Sequence, residues 1–283
     1  MKIVVTGGAG KLGQAVVEEL RQSGHDVVSF DRRRPQPAGG TRSLIGDIVD
    51  LGQVYGALAD SDAVIHLAGI STHSVVSNEE TFRINTMGAF NVHEAAWRLG
   101  IRRVVMMSSE AVLGWAPGSY ERLVLPRYLP IDEDHPCIAQ DCYGLSKIAC
   151  EAIAASYAAK SDMELVILRP PWIISPDELR AIARSGGTPV SNFRLYHYVD
   201  CRDLAVACRL AVERPIRGCQ TLFVGSGETI ISESLAQVYP RLVPEIGDMA
   251  SCLTGGAAPV SIARARDILG WTPKHSWRTN APT

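Results

Sequence analysis

The stretch TGGAGKLG, residues 6–13, decides the fold. It contains a GxxGxxG pattern at Gly7, Gly10 and Gly13. Residues 2–6 before it are rich in β-branched side chains, and residues 11–23 after it carry apolar side chains at helical spacing. This pattern predicts a strand, a tight turn and a helix. Glycine suits the turn because, without a Cβ, the backbone can bend sharply and approach another group closely.

The same turn predicts a phosphate site. The unpaired N–H groups and the dipole at a helix N-terminus favour an anion. A glycine pattern between a first strand and its helix is the context in which a dinucleotide pyrophosphate binds. The residues predicted to bind the cofactor here are Gly7, Gly10, Lys11, Leu12 and Gly13.

Asp31 and Arg32 bear on which dinucleotide would bind. Asp31 ends the second β-rich run, 18 positions after Gly13. A carboxylate there can accept hydrogen bonds from the adenosine ribose hydroxyls and would repel a 2′-phosphate, which favours NAD. Arg32 and Arg33 would instead attract the 2′-phosphate of NADP, so NADP stays open as an alternative cofactor.

Strand-like and helix-like segments alternate along the chain, which predicts an α/β fold with a doubly wound, parallel, Rossmann-type sheet. The predicted strands are 2–6, 26–30, 43–45, 63–67, 104–107 and 165–168. The predicted helices are 11–23, 80–99, 144–159, 203–214 and 231–238. We expect residues 1–170 and 198–228 to form the dinucleotide-binding domain, and 171–197 and 229–283 a small interleaved C-terminal substrate lobe.

The composition argues against several classes of partner. There are 28 Lys and Arg residues against 30 Asp and Glu residues, a net charge of -2, so we expect no nucleic acid partner. The seven cysteines and the histidines lack metal-ligand spacing, so no metal is predicted. No run approaches the ~20 apolar residues of a membrane helix, and the apolar start at residues 1–6 is too short for a signal peptide. We therefore expect a cytoplasmic protein without a membrane partner.

Several short motifs resemble one superfamily in their order and spacing. They are the glycine turn, Gly46-Asp47-Ile48, His66-Leu67-Ala68-Gly69, Asn85-Thr86-Met87-Gly88, Ser108-Ser109, Tyr143-Gly144-Leu145-Ser146-Lys147, Leu168-Arg169-Pro170 and Leu269-Gly270-Trp271-Thr272-Pro273. Together they resemble the short-chain dehydrogenase/reductase superfamily, and in particular its extended, epimerase/dehydratase-like branch. The matching pieces run the length of the chain.

The resemblance implies further cofactor contacts. Asp47 and Ile48 would lie along the adenine, and residues 67–69, which are Leu67, Ala68 and Gly69, would line the cofactor near its nicotinamide ribose. Pro170 would join them. Asn85 would organise the catalytic helix and any proton-relay water around Lys147.

The resemblance also implies the catalytic residues. Tyr143 and Lys147 are four positions apart at the start of a predicted helix, so they share one face. A phenol is a poor base near neutral pH unless nearby positive charge favours the phenolate. Lys147 and an oxidised nicotinamide would supply that charge, so Tyr143 would serve as the general base or acid. Lys147 would also hold the ribose hydroxyls, and Ser109 would stabilise the substrate oxygen.

The substrate residues are predicted from the same resemblance. The chain is nearest in pattern to the uronate dehydrogenase group, through residues 66–71, in which Ser71 would meet the substrate. Arg194 would bind a substrate carboxylate at two points. That group carries Asn-His after the catalytic Ser, however, and this chain carries Glu110-Ala111, where Glu110 would repel a uronate or bind a sugar hydroxyl. We therefore predict a small sugar, sugar acid or related alcohol as the substrate.

Other activities stay open on the sequence. Nucleotide-sugar members of the branch usually carry an Asn after the sixth strand, and here the stretch is Arg169-Pro170-Pro171-Trp172-Ile173. A nucleotide-sugar 4-epimerase or a dehydratase with tightly held NAD is the alternative, and a non-catalytic dinucleotide-sensing protein is a third possibility.

A homodimer is also predicted, through a face formed by the two helices at 80–99 and 144–159. Its members would be Ala89, Val92, Ala96, Leu99, Ile148, Ala152, Ala155 and Ala159.

Overall fold

The computed structural model describes residues 1–34, 41–71, 76–115, 124–190 and 195–279. The strands within these residues are β1 (Lys2–Thr6), β2 (Asp26–Asp31), β3 (Arg42–Ile45), β4 (Ala63–His66), β5 (Arg103–Met107), β6 (Glu164–Arg169), β7 (Trp172–Ile174), β8 (Tyr198–Asp200) and β9 (Cys219–Phe223). Seven of them form one parallel sheet in the order β3-β2-β1-β4-β5-β6-β9. The two short strands β7 and β8 pair separately. The prediction of a doubly wound parallel sheet is confirmed.

Helices cover both faces of the sheet. They are α1 (Lys11–Gln22), α2 (Leu51–Leu58), α3 (Asn78–Arg98), α4 (Cys142–Lys160), α5 (Pro176–Ser185), α6 (Cys201–Glu213), α7 (Leu235–Leu242) and α8 (Ala263–Leu269). Two 3₁₀ segments, Glu110–Leu113 and Pro244–Cys252, complete the described elements. One apolar cluster joins α1, α6 and α8 to the sheet, and a second joins α2, α3 and α4 to its other face.

A third apolar cluster lies beside the main sheet. It gathers buried side chains from α5, α7, the β7–β8 pair and the chain around Trp115 and Trp277. Although α8 and Trp271 fall within the predicted lobe at 229–283, they pack on the main sheet with α1 and α6. The division into a dinucleotide domain and an interleaved lobe stays a prediction.

Four helices differ from the sequence prediction. The helix predicted at 231–238 begins only at Leu235, after Ser234, so those bounds were wrong; buried Ile231 belongs to the preceding turn. Helices α2, α5 and α8 were not predicted. Both α2 and α5 begin at polar N-caps, which the sequence could have revealed: Asp50 accepts from Gln53 N, and Ser175 forms a capping box with Glu178. Helix α8 begins without a side-chain cap.

The face predicted for dimerisation is partly wrong. Ala89, Val92 and Ala96 are fully buried against their own sheet, so these α3 residues do not face outward. The large exposed apolar side chains on α3 and α4 are instead Phe82, Met87, Phe90 and Leu145. The homodimer itself stays a prediction.

Two negative findings hold for the described ranges. None of their helices combines the length and apolar character needed to cross a membrane. Nor does any group of three or more His, Cys, Asp or Glu side chains there form a potential metal site.

Two histidines that lie in the core, His66 and His93, have lowered pKa values. Burial, followed by the neighbouring charges at His93 and Lys147, holds the pKa of His66 well below its usual range. Burial lowers the pKa of His93 to about 4. His66 Nδ1 lies 2.8 Å from Thr6 Oγ1, and His93 Nδ1 donates to Ala89 O at 2.7 Å. Both rings are therefore neutral in the folded protein near neutral pH.

This burial predicts that stability falls in mild acid. Below about pH 6.5 the unfolded chain binds protons on these histidines and the folded chain does not, which costs about 1.4 kcal/mol per pH unit for each. The loss from His93 continues until its folded pKa of about 4. Urea unfolding at several pH values between about 7.5 and 5 measures it. The His93→Gln variant should show a shallower slope, and a free energy of unfolding that stays constant across this range would contradict the expectation.

Candidate active site

A cavity of about 1340 Å³ opens at the carboxyl ends of the sheet strands. It lies between the chain segments after β1 and β4, where the strand order reverses, and such a point is where doubly wound folds bind ligands. The predicted residues that line it are Gly7, Gly10, Lys11, Leu12, Gly13, Asp31, Arg32, Ile48, Leu67, Ala68, Gly69, Ser71, Ser109, Glu110, Tyr143, Lys147 and Pro170. Asp47 and Asn85 are not among its lining residues, and Arg194 lies outside the described residues.

The glycine turn forms one end of the cavity. Gly7 has a φ of 75°, and a Cβ there would lie 2.7 Å from Ala68 N. A Cβ on Gly13 would lie 2.1 Å from Gly7 O, so α1 can approach β1 only with glycine at this position. Gly10 caps α1 without any side-chain hydrogen bond, which leaves the helix N-terminus for a ligand. These features fit the pyrophosphate of a dinucleotide.

The Lys11 side chain connects the start of α1 to α5. Its Nζ donates to Glu178 Oε2 on α5 at 2.8 Å, and both side chains are partly exposed. Glu178 also accepts from Ser175 N as part of the α5 capping box. For Lys11 to contact a phosphate, as the sequence predicts, its Nζ would have to leave Glu178.

The Asp31 carboxylate ends β2 beside the glycine turn, at the same end of the cavity. Its two oxygens accept from Ala9 N at 3.1 Å and Arg33 N at 3.0 Å, which ties the glycine turn to β2. Arg32 and Arg33 line the cavity beside it. Ribose hydroxyls would thus meet a carboxylate whose orientation is already fixed.

The Asp47 side chain stabilises the turn before α2. Its Oδ1 accepts from Val49 N at 3.1 Å. The neighbouring Ile48 lines the cavity, as an adenine contact requires.

Tyr143 and Lys147 occupy the first two turns of α4, which Asp141 caps by accepting from Gly144 N at 2.6 Å. Lys147 Nζ lies 5.7 Å from the centroid of the Tyr143 ring. Lys147 is buried and donates to Met107 O at 2.9 Å, which fixes the ammonium at the end of β5. A positive charge therefore stands beside the phenol at the wall of the cavity.

Ser109 follows β5 and lines the same cavity. Its Oγ accepts from Ala111 N at 3.1 Å, which leaves the hydroxyl proton available to a substrate oxygen. The preceding Ser108 donates to Glu151 at 2.5 Å, and Glu151 accepts two hydrogen bonds from Arg169. This buried network links β5, α4 and β6 behind the catalytic candidates.

Asn85 contacts the catalytic helix from outside the cavity. Its Oδ1 accepts from Ile70 N at 2.7 Å, and its Nδ2 donates to Ile70 O and to Ser146 Oγ. Ser146 in turn donates to Tyr143 O at 2.7 Å. Asn85 thereby connects the segment after β4 to α4, which agrees with the organising role that the resemblance implies.

The sequence analysis missed the partner of Glu110. His197 is fully buried, and its Nδ1 lies 3.2 Å from Glu110 Oε2. No local signal marks this pair, because 87 positions separate the two residues. Apolar cavity residues that were not assigned to the site are Phe30, Ile70, Ile84, Met107, Ala111, Pro171, Trp172, Ile173 and Leu195.

The fold and the glycine-lined cavity define a dinucleotide-binding α/β protein. The model of the NAD-dependent epimerase/dehydratase family matches residues 3–221, and the chain belongs to this family. The resemblance to extended short-chain dehydrogenases/reductases is confirmed.

Three relatives show the range of the family. The chain is 28% identical to UDP-glucose 4-epimerase of Azospirillum brasilense, over 97% of this chain and 88% of that protein. It is 30% identical to L-arabinose 1-dehydrogenase (NAD(P)(+)) of Haloferax volcanii, over 63% of this chain and 70% of that protein. It is 31% identical to uronate dehydrogenase of Pseudomonas syringae pv. tomato, over 59% of this chain and 58% of that protein.

A solved structure supports the cofactor. A short-chain dehydrogenase/reductase superfamily protein from Agrobacterium tumefaciens with bound NAD superposes with a TM-score of 0.77 at 25% identity, over 99% of this chain and 94% of that one. The chain is thus an enzyme, an oxidoreductase or epimerase of an NAD-dependent family, and the prediction of NAD is confirmed.

Proposed function

We propose that this enzyme is an NAD-dependent dehydrogenase that interconverts a hydroxyl and a carbonyl carbon of a small sugar, sugar acid or related alcohol. One observation carries the proposal. The glycine turn at one end and Tyr143, Lys147 and Ser109 at the other line the same cavity. A dinucleotide lying in it would span from a phosphate site to a phenol beside an ammonium.

The proposed chemistry divides among three side chains. Tyr143 takes the proton from the substrate hydroxyl and returns it in the reverse direction. Lys147 stabilises the phenolate, and Ser109 donates to the substrate oxygen while its charge changes. NAD, when bound, supplies the hydride acceptor.

The 4-epimerase is the second candidate, and the full-length match to UDP-glucose 4-epimerase favours it. One feature of this chain favours the dehydrogenase over the epimerase. The segment after β6 presents Pro170, Pro171 and Ile173 to the cavity and lacks the Asn typical of nucleotide-sugar enzymes. Glu110 and Ala111 replace the paired Asp-Glu of dehydratases, so we propose no dehydration.

Release of NADH distinguishes the two candidates. The purified enzyme is mixed with excess NAD and a panel of free aldoses, uronates, polyols and nucleotide sugars. A dehydrogenase accumulates free NADH in proportion to the sugar oxidised, which the near-ultraviolet absorbance of NADH measures. An epimerase converts its sugar with no net NADH, so epimerised nucleotide sugar without NADH would contradict the proposal.

A further inference from the structure

Glu110 is a buried carboxylate in the wall of the cavity. It follows Ser109 directly, is 8% exposed and lines the cavity. Its backbone N donates to Pro170 O at 3.0 Å, which fixes the residue between β5 and β6. A carboxylate buried beside a reaction site must be paired or must serve a ligand.

His197 fixes the direction of this carboxylate. Since a carboxylate only accepts, His197 Nδ1 donates to Glu110 Oε2 across 3.2 Å. The ring is held in place, because a Cβ on Gly225 would lie 2.0 Å from His197 Nε2. Within the described residues, His197 is the only hydrogen-bond partner recorded for the Glu110 side chain, and it contacts one of the two oxygens. Among the described residues no hydrogen bond reaches the second oxygen, which can therefore accept from a ligand in the cavity.

The charges around Glu110 oppose an anionic substrate. Among the described lining residues, the other ionisable groups at this end are Asp141, Tyr143 and Lys147, and Lys147 is engaged with Met107 O. The lining arginines, Arg32 and Arg33, lie with Asp31 at the opposite end. A substrate carboxylate placed near Glu110 would meet like charge in a buried setting, whereas a sugar hydroxyl would donate a charge-assisted hydrogen bond.

We propose that Glu110 is a specificity-determining residue that accepts a hydrogen bond from a substrate hydroxyl at the position where a hexuronate carries its carboxylate, and that His197 is the positioning residue that orients it. The inference rests on the proposed dehydrogenase function and names its substrate class: an uncharged, polyhydroxylated aldose in preference to a hexuronate. Sites built to bind a hydroxyl reject analogues that cannot satisfy the buried group.

Steady-state kinetics on the NAD-loaded enzyme test this with matched sugar pairs, glucose with glucuronate and galactose with galacturonate. For wild type, kcat/KM for the aldose should exceed that for its uronate by about a hundredfold or more. The Glu110→Gln variant should lower this ratio at least about tenfold, chiefly by raising KM for the aldose. NAD affinity, measured by fluorescence titration, should be unchanged because Glu110 lies away from the phosphate end.

Two further variants separate orientation from folding. His197→Asn retains an N–H donor near the Glu110 carboxylate and should keep most of the selectivity, whereas His197→Leu should lose it. Glu133→Gln is the matched control, since Glu133 is a buried carboxylate outside the cavity lining that accepts from Phe223 N. Its aldose-to-uronate ratio should equal that of wild type.

Two outcomes would overturn the inference. One is a wild-type enzyme that oxidises uronates as well as aldoses, and the other is a Glu110→Gln variant with an unchanged ratio. Failure of the dehydrogenase function would appear differently, as no NADH from any sugar. In that case saturation-transfer NMR would measure aldose binding to the NADH complex and still test Glu110. Equal binding to wild type and to Glu110→Gln would contradict its role.

Discussion

Replacing Tyr143 by phenylalanine is expected to lower kcat about a thousandfold while leaving NAD affinity unchanged. The substitution removes only the hydroxyl that moves the substrate proton, and general acid–base catalysis contributes about 10²–10⁴ in rate. The aromatic ring stays, so the wall of the cavity and the position of α4 are kept. Steady-state kinetics and a fluorescence titration with NAD measure the two quantities.

Tyr157→Phe is the matched control on the same helix. The Tyr157 hydroxyl donates to Glu94 at 2.7 Å and is not part of the cavity lining. This variant should lose about 1 kcal/mol of stability and keep its kcat. Turnover by Tyr143→Phe at the wild-type rate would exclude Tyr143 as the proton-transfer group.

Gly13→Ala is expected to damage both the fold and cofactor binding. The added Cβ would lie 2.1 Å from Gly7 O and 2.7 Å from Gly8 Cα, and both are backbone atoms that cannot move aside alone. We expect about 3 kcal/mol of destabilisation from overpacking. We also expect NAD affinity to fall by at least about tenfold, because the N-terminus of α1 is displaced from the turn. Urea unfolding and NAD titration check the two effects.

Gly56→Ala provides the comparison. Gly56 lies inside α2, where a Cβ would meet nothing within 4 Å. Alanine should stabilise that helix by up to about 1 kcal/mol and leave NAD binding as it is. If Gly13→Ala behaved like Gly56→Ala, the close approach of α1 to β1 would not be what builds the phosphate site.

The sequence predicted the parts of this site that depend on local pattern. The glycine turn requires small residues at fixed spacing between a strand and a helix, so Gly7, Gly10 and Gly13 could be assigned without a structure. Tyr143 and Lys147 could be placed on one helix face because they are four positions apart. The alternation of strand-like and helix-like segments along the chain predicted the parallel sheet.

What the sequence could not predict depends on contacts between distant segments. The Glu110–His197 pair joins the end of β5 to the chain before β8, and neither residue carries a local signature of the other. The prediction placed the wrong face of α3 at the surface. The small apolar residues of α3 pack on the sheet and on α4, and in the sequence they resemble the residues of a dimer interface.

Isotope transfer tests the central claim most directly. The enzyme is given NAD and an aldose that carries deuterium on the carbon bearing the reacting hydroxyl, and the released NADH is analysed by mass spectrometry. The account predicts one deuterium in each NADH released, and no labelled NADH from Tyr143→Phe. Unlabelled NADH, or sugar inverted at that carbon with its deuterium retained and no NADH released, would contradict it.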